Sequence, residues 1–201
     1  MIKLGVLISG SGTNLQAIID AIAAGDLDAE VVLVISSKPD ALGLKRAHDA
    51  GIATIGLTRE VYNNQTAADE LIAEEMLGAG AQYIVMAGYM RMVTGPILNV
   101  FPDRVINIHP ALLPSFPGAH GIADAYSSGV KVTGITVHFA NAAYDEGPII
   151  AEEALVIEEG ESLQSLEERM HAVEHVLYPK TLQLIAEGRV AVDEDRRVRI
   201  S

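Results

Sequence analysis

The chain has 201 residues with 27 acidic and 14 basic side chains, so its formal net charge of −13 at pH 7 argues against a DNA or RNA partner, which needs clustered cations. It has no cysteine, which excludes disulfides, thiolate zinc sites and a cysteine nucleophile, and fits a cytoplasmic location. Mean hydropathy is +0.26 and no apolar run approaches the roughly 18 residues of a membrane span, so we expect neither a membrane segment nor a signal peptide.

From the N-terminus, short apolar runs alternate with amphipathic segments. We predict strands at KLGVLIS, EVVLVIS, ATIGL, YIVMAG and RVINIH, and helices at NLQAIIDAIAA, ALGLKRAHDA and AADELIAEEML. Gly25 and Gly51 are expected to end the first two helices. Near-continuous Val, Ile and Leu runs between helices are typical of a parallel sheet that is buried on both faces. The sequence therefore predicts an α/β fold with a doubly wound, mostly parallel, Rossmann-like sheet.

The pattern changes after about residue 131. The runs VTGITVHFA and PIIAEEALVI indicate two strands, joined by the polar turn NAAYDEG, that could extend the same sheet in mixed orientation. A long helical segment follows, with Ser162 as its expected N-cap and Gly188 at its end. Pro179 lies inside this segment, so we expect a kink or a break near Tyr178. The tail RVAVDEDRRVRI predicts a hairpin.

A glycine loop, ISGSGTN, separates the first strand from the first helix. Gly10 and Gly12 permit a tight turn, and helix N-terminal amides favour an anion, so Gly12, Thr13 and Asn14 are candidates to hold a phosphate. Leu15 stands where a dinucleotide-binding fingerprint needs its third glycine, and no P-loop lysine follows. The alternative is a simple glycine turn into a helix capped by Thr13.

The stretch NIHPALLPSFPGAH places polar residues at the end of an apolar strand. Strand alternation puts Asn107 and His109 on one face and Ile106 and Ile108 on the other. An amide nitrogen and an imidazolium side by side can supply two donors to one oxyanion. The alternative is that Asn107 only ends the strand and that His109 is a half-buried structural histidine.

Asp145, in YDEGPII, is a candidate to orient the ring of His109 and raise its pKa, unless it belongs to a solvated acidic turn. His138 and His120 rank below His109, as structural or supporting residues. A Ser/His/Asp hydrolase built on Ser115 is disfavoured because no G-x-S-x-G motif is present. No H-E-x-x-H motif appears either, and we predict no metal site.

Taken together, these motifs match a known family in composition and order. The matching strings are LGVLISGSGTNLQAIIDAI, MAGYMRMV, NIHPALLPSFPGAH, GITVHFA, DEGPIIAEE and EHVLYP. The chain resembles the phosphoribosylglycinamide formyltransferase family along nearly its whole length. The resemblance implies that 10-formyltetrahydrofolate, as co-substrate, donates its formyl group to the amine of phosphoribosylglycinamide in purine biosynthesis. It also implies direct attack by the amine, with no covalent enzyme intermediate.

The resemblance assigns roles to individual positions. It implies that Asn107 and His109 stabilise the tetrahedral oxyanion, while Asp145 tunes His109 and assists proton transfer. The implied substrate-binding residues are Gly12, Thr13, Asn14 and Glu174. The implied folate-binding residues are Met90, Arg91, Met92, Val93, Asn141 and Tyr144. Without the resemblance, Glu174 would be interpreted as a solvated helix position and the YMRMV segment as core packing.

The chain departs from the family pattern around the expected folate loop. Tyr144 precedes Asp145 where the family usually has Val, and Asn141 stands where an acidic residue is common. These differences leave open the shape of the loop at 140–146. The residues after His120 are also unusual, so its role stays open.

Three rival interpretations fit less well. A methionyl-tRNA formyltransferase would carry a basic RNA-binding domain, a formyltetrahydrofolate hydrolase an extra N-terminal domain, and a silent binding module would not need the Asn, His and Asp set. We expect one domain, 1–201, with a phosphate-binding half at 1–100 and a folate-binding and catalytic half at 101–201. The expected partners are small molecules, without nucleic acid or membrane, and the expected state is a monomer or homodimer.

Overall fold

The computed structural model describes residues 1–201 and contains a seven-stranded sheet and a separate two-stranded hairpin. The strands are β1 (Ile2–Ile8), β2 (Ala29–Ser36), β3 (Thr54–Gly56), β4 (Tyr83–Met86), β5 (Val105–His109), β6 (Val132–Phe139), β7 (Ile149–Val156), β8 (Val190–Val192) and β9 (Val198–Ile200). The helices are α1 (Thr13–Ala24), α2 (Leu42–Asp49), α3 (Arg59–Asn63), α4 (Gln65–Gly78), α5 (Gly95–Val100), α6 (Gly121–Ser128) and α7 (Leu163–Ala186). No helix combines the length and apolar character needed to cross a bilayer.

The strand order in the large sheet is β3-β2-β1-β4-β5-β6-β7. Strands β1 to β5 are parallel, whereas β6 runs antiparallel to β5 and β7 antiparallel to β6. This confirms the predicted doubly wound, mostly parallel sheet with a mixed C-terminal part. The chain winds outward from β1 in one direction through β2 and β3, and in the other through β4 and β5. The crevice at the carboxyl ends of β1 and β4 is therefore a topological switch point, where open α/β sheets bind ligands.

Apolar side chains cover both faces of the sheet. Along β1, Leu4, Val6 and Ile8 join a core cluster with α1 and α7, while Leu7 joins a second cluster with α4 and α5. Alternate residues of a strand point to opposite faces, so a strand buried on both sides has to be apolar throughout. This explains the near-continuous apolar runs in the sequence.

Helix ends follow the predicted signals. Gly25 caps α1 in a left-handed conformation with φ of 81°. Ser162 caps α7, because its side chain accepts a hydrogen bond of 3.2 Å from the amide of Ser165. The predicted hairpin is β8 paired with β9. Helices α3, α5 and α6 were not predicted. The five residues of α3 and the six of α5 are too few to establish a helical period.

The sequence predicted a kink or a break near Tyr178. The break is wrong, because α7 runs without interruption past Pro179. Pro179 removes one helix hydrogen bond, but tertiary contacts hold this turn in place. Tyr178 is fully buried, and its hydroxyl lies 3.1 Å from the carbonyl oxygen of Met86 and 3.0 Å from that of Ile106. The helix is thereby attached to β4 and β5 at the residue before the proline.

Candidate active site

Polar residues from separate elements converge on a cavity of about 430 Å³ at the carboxyl ends of β1, β4 and β5. We call this the main cavity. A narrower opening beside it, the side pocket, lies between the segment after β4 and the loop between β6 and β7. Four residues line both spaces: Tyr89, Asn107, Tyr144 and Asp145. The two spaces are therefore adjacent at the end of β5.

The structure brings His109 and Asp145 together. His109 Nδ1 lies 3.4 Å from Asp145 Oδ2, and both side chains are almost fully buried. The amide of Gly118 donates a 2.9 Å hydrogen bond to Asp145 Oδ2, so this carboxylate is part of the site and not a solvated turn. His109 Nε2 lies 2.8 Å from the carbonyl oxygen of Phe116, which can only accept, so Nε2 carries a proton. Both ring nitrogens of His109 thus have protein partners.

The protein environment shifts the pKa of each member of this pair. Burial lowers the pKa of His109, and the nearby Asp145 carboxylate only partly opposes that effect. Burial alone would raise the pKa of Asp145. Hydrogen bonds from His138 and from the Gly118 amide outweigh burial and hold the pKa of Asp145 below its ordinary value. Asp145 is therefore ionised at neutral pH beside a histidine that resists protonation.

Asn107 and His138 complete the cluster. Asn107 Nδ2 lies 3.2 Å from His138 Nε2 and 3.5 Å from Asp145 Oδ1. His138 Nε2 is 3.6 Å from the same carboxylate oxygen. The sequence ranked His138 low because nothing local connects it to Asn107. The antiparallel register of β5 and β6, which sets these two residues opposite each other, makes the contact.

The glycine loop presents the start of α1 to the main cavity. Gly12 has φ of 71° and occupies the N-cap position, Thr13 is the first helical residue, and no side chain caps the helix. The alternative of a helix capped by Thr13 is therefore wrong. Uncapped amides at a helix N-terminus suit an anion. Lys38, which the sequence did not single out, also lines the cavity and adds a cation.

Glu174 reaches the same cavity from α7. Its interpretation as a solvated position is wrong, because only 6% of the residue is exposed and its carboxylate accepts a 2.9 Å hydrogen bond from Asn14 Nδ2. Burial raises the pKa of Glu174. The other amide atom, Asn14 Oδ1, is buried without a partner. This acceptor and the carboxylate form a polar end of the cavity that a ligand with hydrogen-bond donors would fill.

The segment predicted to bind folate is divided between the two spaces. Arg91, Met92 and Val93 line the side pocket, whereas Met90 lines the main cavity. Arg91 stacks its guanidinium over the Tyr62 ring at 4.5 Å and also donates to the Tyr62 carbonyl. These contacts hold the arginine at the edge of the pocket.

The other predicted folate residues also lie at the side pocket. Asn141 and Tyr144 line it, and Tyr144 is 43% exposed. Tyr89, which the sequence missed, forms a wall of both spaces. Its hydroxyl is buried without a partner, and burial together with the nearby Asp69 carboxylate raises its pKa.

The remaining histidines do not join the cluster. His120 is exposed at the start of α6 and lines neither space. His171 and His175 are four residues apart on α7, but His171 faces the main cavity and His175 lines grooves on the outside of the fold. No group of three or more acidic or histidine side chains is arranged to hold a metal ion.

The doubly wound fold and the cluster of Asn107, His109 and Asp145 are features by which the class of this protein can be found, and we therefore compared the chain with known proteins. The sequence profile described as formyl transferase matches residues 2–182, and the chain belongs to this family. The phosphoribosylglycinamide formyltransferase of Bacillus subtilis is 37% identical over 91% of this chain and 94% of its own length. The crystal structure of glycinamide ribonucleotide transformylase 1 from Symbiobacterium toebii superimposes with a TM-score of 0.96 at 48% identity, covering 100% of this chain and 94% of that one.

Longer proteins also contain a region similar to this chain. The trifunctional purine biosynthetic protein adenosine-3 of Bos taurus is 39% identical over 98% of this chain. The chain spans only 19% of the length of that protein. The similarity is therefore to one part of the larger protein.

Proposed function

We propose that the chain transfers the formyl group of 10-formyltetrahydrofolate to the amine of phosphoribosylglycinamide, a step of purine biosynthesis. The products are phosphoribosyl-N-formylglycinamide and tetrahydrofolate. The observation that carries the proposal is the meeting of Asn107, His109 and Asp145 at a cavity that also contains an uncapped helix N-terminus. The names of the B. subtilis and S. toebii relatives support the same reaction.

The two ends of the main cavity suit the two ends of the acceptor. The amides at Gly12, Thr13 and Asn14 bind its phosphate, supported by the positive end of the α1 dipole. The carboxylate of Glu174, which Asn14 holds in place, accepts hydrogen bonds from the remainder of phosphoribosylglycinamide. The two contacts together orient the amine toward the end of β5.

The side pocket suits the folate donor. We propose that Met90, Arg91, Met92 and Val93 on one side, and Asn141 and Tyr144 on the other, hold its ring system. Flexible methionine side chains adapt to a flat heteroaromatic group. Because Asn107 lines both the side pocket and the main cavity, the formyl carbon would lie near Asn107, between the amine and the catalytic cluster.

The chemistry is an acyl transfer. The amine nitrogen forms a bond to the formyl carbon, the bond from that carbon to N10 of the folate breaks, and the amine proton passes to N10. Asn107 and His109 stabilise the negative oxygen of the tetrahedral intermediate. For this role the Nε2–H of His109 exchanges its present partner, the Phe116 carbonyl oxygen, for the substrate oxygen. The ionised Asp145 stabilises the positive charge that His109 takes up, and Asp145 relays the proton from the amine to N10. No step in this scheme requires a metal. Much of the acceleration comes from holding two substrates in reach of each other.

We further propose that the protein acts on small molecules in the cytoplasm, as a monomer or homodimer. The absence of cysteine suits a reducing compartment, and the net charge of −13 disfavours polyanionic partners. Neither inference affects the reaction scheme.

The assignment is tested by the absorbance change of 10-formyltetrahydrofolate on deformylation, with and without phosphoribosylglycinamide. We expect deformylation only when the acceptor is present. Deformylation without the acceptor would indicate a hydrolase, and no deformylation in either mixture would contradict the proposal.

The catalytic residues are tested by Asn107→Ala and Asp145→Ala in the same assay. Each variant should lower kcat by roughly 100-fold or more, because it removes a group that acts mainly in the transition state, with a small change in KM. Glu146→Ala is the matched control, because Glu146 is the exposed neighbour of Asp145 and lines neither space. Wild-type turnover in both Asn107→Ala and Asp145→Ala would rule out the assigned cluster.

A further inference from the structure

The segment at 90–93, between β4 and α5, has no regular secondary structure. Arg91, Met92 and Val93 line the side pocket, and their backbone amides have no hydrogen-bond partner in the protein. These amides are therefore available to a ligand. Because a segment with so few backbone hydrogen bonds of its own does not keep one shape by itself, other elements have to hold it in place.

Two side chains of α4 hold this segment. Gln65 Nε2 donates a 2.9 Å hydrogen bond to the carbonyl oxygen of Met92. Asp69 Oδ2 accepts a 2.8 Å hydrogen bond from the amide of Thr94 and a 2.6 Å hydrogen bond from its hydroxyl. Because Gln65 and Asp69 are four positions apart, they lie on the same face of α4. The helix therefore contacts the segment within its length and directly after its end.

Asp69 is buried in a way that apolar packing alone does not require. The residue is 0% exposed, and none of the ion pairs in the protein includes it. Its second oxygen, Oδ1, is buried without a partner. Apolar residues of α4 and α5, such as Ile72 and Ile97, belong to one core cluster. Since burying a carboxyl group costs free energy that an apolar side chain would not, the contact with Thr94 is what distinguishes Asp69 from an apolar residue at this position.

Thr94 also departs from the local pattern. It stands at the N-cap position of α5, where a threonine side chain commonly accepts a hydrogen bond from the first turn of the helix. Here the side chain makes no such bond, and its hydroxyl donates to Asp69 instead. The amide and the hydroxyl of Thr94 are thus both directed at α4. This contact fixes the point at which the segment at 90–93 enters α5.

We infer that Asp69 is a positioning residue for the folate donor: its two hydrogen bonds to Thr94 hold residues 90–93 in the shape that binds the donor in the side pocket. The inference rests on the proposed function, because it takes the donor to occupy this pocket. Asp69 lines neither the side pocket nor the main cavity, so it acts only through the segment. Loss of Asp69 should therefore weaken binding of the donor and leave binding of the acceptor unchanged.

The test compares Asp69→Leu with Asp69→Asn. Leucine is similar in size but accepts no hydrogen bond from Thr94, so the segment spends less time in its binding shape. The Kd for tetrahydrofolate, measured by isothermal titration calorimetry, and the KM for 10-formyltetrahydrofolate should rise roughly 10-fold or more. The KM for phosphoribosylglycinamide, and kcat at saturating donor, should change by less than about 3-fold. Asparagine keeps one oxygen that can accept both hydrogen bonds, and its Kd should stay within about 3-fold of the wild-type value.

Two further variants make the result independent of damage to the fold. Glu70→Leu is the matched control, since Glu70 is the exposed neighbour of Asp69 on α4, and its Kd for tetrahydrofolate should equal that of the wild type. Thr94→Val removes only the hydroxyl half of the contact and keeps the shape of the side chain. It should raise the same Kd by a smaller factor than Asp69→Leu, and it tests the contact even where Asp69→Leu does not fold. Urea denaturation of each variant verifies that it is folded.

Three results would overturn the inference. The first is wild-type affinity for tetrahydrofolate in folded Asp69→Leu or in Thr94→Val. The second is a rise in the KM for phosphoribosylglycinamide as large as that for the donor, which would indicate general damage to the site. The third is a loss in Asp69→Asn equal to that in Asp69→Leu. Each of these leaves formyl transfer by the wild type intact, whereas absence of formyl transfer by the wild type would instead disprove the proposed function itself.

Discussion

At the scale of single residues, two buried carboxylates in one cavity have opposite pKa shifts. Asp145 receives hydrogen bonds from His138 and the Gly118 amide, which stabilise its charged form. Glu174 receives one from Asn14, which is too little to offset its burial, so its pKa is raised. The two groups therefore suit different tasks. Asp145 is ionised at neutral pH beside His109, whereas the ionised form of Glu174 is stabilised when a ligand supplies further donors.

Glu174→Gln should stabilise the protein while weakening acceptor binding. Because folding raises the pKa of Glu174, the folded state binds more protons than the unfolded state, and stability falls as pH rises from about 4.5 through the folded pKa. Glutamine keeps an oxygen for Asn14 Nδ2 without a buried charge. Urea denaturation should show a gain of roughly 0.5–2 kcal/mol at pH 7 that disappears near pH 4.5.

The matched control is Glu168→Gln, at an exposed position of α7. Its free energy of unfolding should change by less than about 0.5 kcal/mol at either pH. A loss of stability in Glu174→Gln at pH 7 would show that the ionised carboxylate is well stabilised in the free protein.

At the scale of elements, the glycine loop depends on close packing against the start of α2. The amide of Gly43 donates a 3.0 Å hydrogen bond to the carbonyl oxygen of Gly10. The side chain of Arg46 donates from Nε to the carbonyl oxygen of Ser11 at 2.8 Å. Both contacts leave the amides at the start of α1 free for a ligand. The loop was predictable from its glycines, but its support by α2 was not.

Gly12→Ala should disrupt this loop, whereas Gly10→Ala should leave the fold intact. Gly12 has φ of 71°, and a Cβ there would lie 2.6 Å from Gly43 Cα, so both backbone strain and a clash result. A Cβ at Gly10 meets nothing within 4 Å. We expect Gly12→Ala to lower the free energy of unfolding by roughly 1–3 kcal/mol and to raise KM for phosphoribosylglycinamide.

The Gly10→Ala variant serves as the stability control for that experiment. Its unfolding free energy should stay within about 0.5 kcal/mol of the wild-type value. Equal stability of Gly10→Ala and Gly12→Ala would mean that the loop relaxes around the added methyl group.

At the scale of the whole molecule, one core cluster connects the two predicted halves of the chain. It contains Leu4, Val6 and Ile8 of β1 together with Ile135 and Val137 of β6. Residues of α7 complete the cluster and pack on α1, so neither half buries its apolar surface alone. The cluster of Asn107, His109 and Asp145 lies on strand β5 and the loop after β6, next to this shared core. If one half, 1–100 or 101–201, unfolded by itself, the apolar surface that the two halves bury against each other would therefore be exposed to water.

We predict that the two halves unfold together. At the urea midpoint, pulsed hydrogen exchange measured by mass spectrometry should give the same unfolded fraction for peptides from β1 and from β6, since both contribute to one core. Peptides from the β8–β9 hairpin, which pairs only with itself, should exchange earlier and act as an internal reference. Different fractions for β1 and β6 would show two folding units and contradict the prediction of one domain.

Much of the architecture follows from local patterns. Near-continuous apolar runs, helical periodicities and the residues that begin and end helices depend on neighbours within a few positions. They predicted the doubly wound sheet, the C-cap at Gly25 and the N-cap at Ser162. The Asn107 and His109 pair was also visible, because strand alternation is local. The break predicted at Pro179 was wrong, because burial of Tyr178 against β4 and β5 holds the helix together at this turn.

The sequence by itself determined the fold class, the family and the residues from which a site can be built. Only the tertiary structure decided which of them meet: the β5–β6 register brought His138 to Asn107, the β6–β7 loop buried Asp145 beside His109, and α7 carried Glu174 to Asn14. These contacts join residues 31, 36 and 160 positions apart in the chain. No local pattern encodes such pairs, because their geometry is set by strand pairing and by the packing of helices on both faces of the sheet.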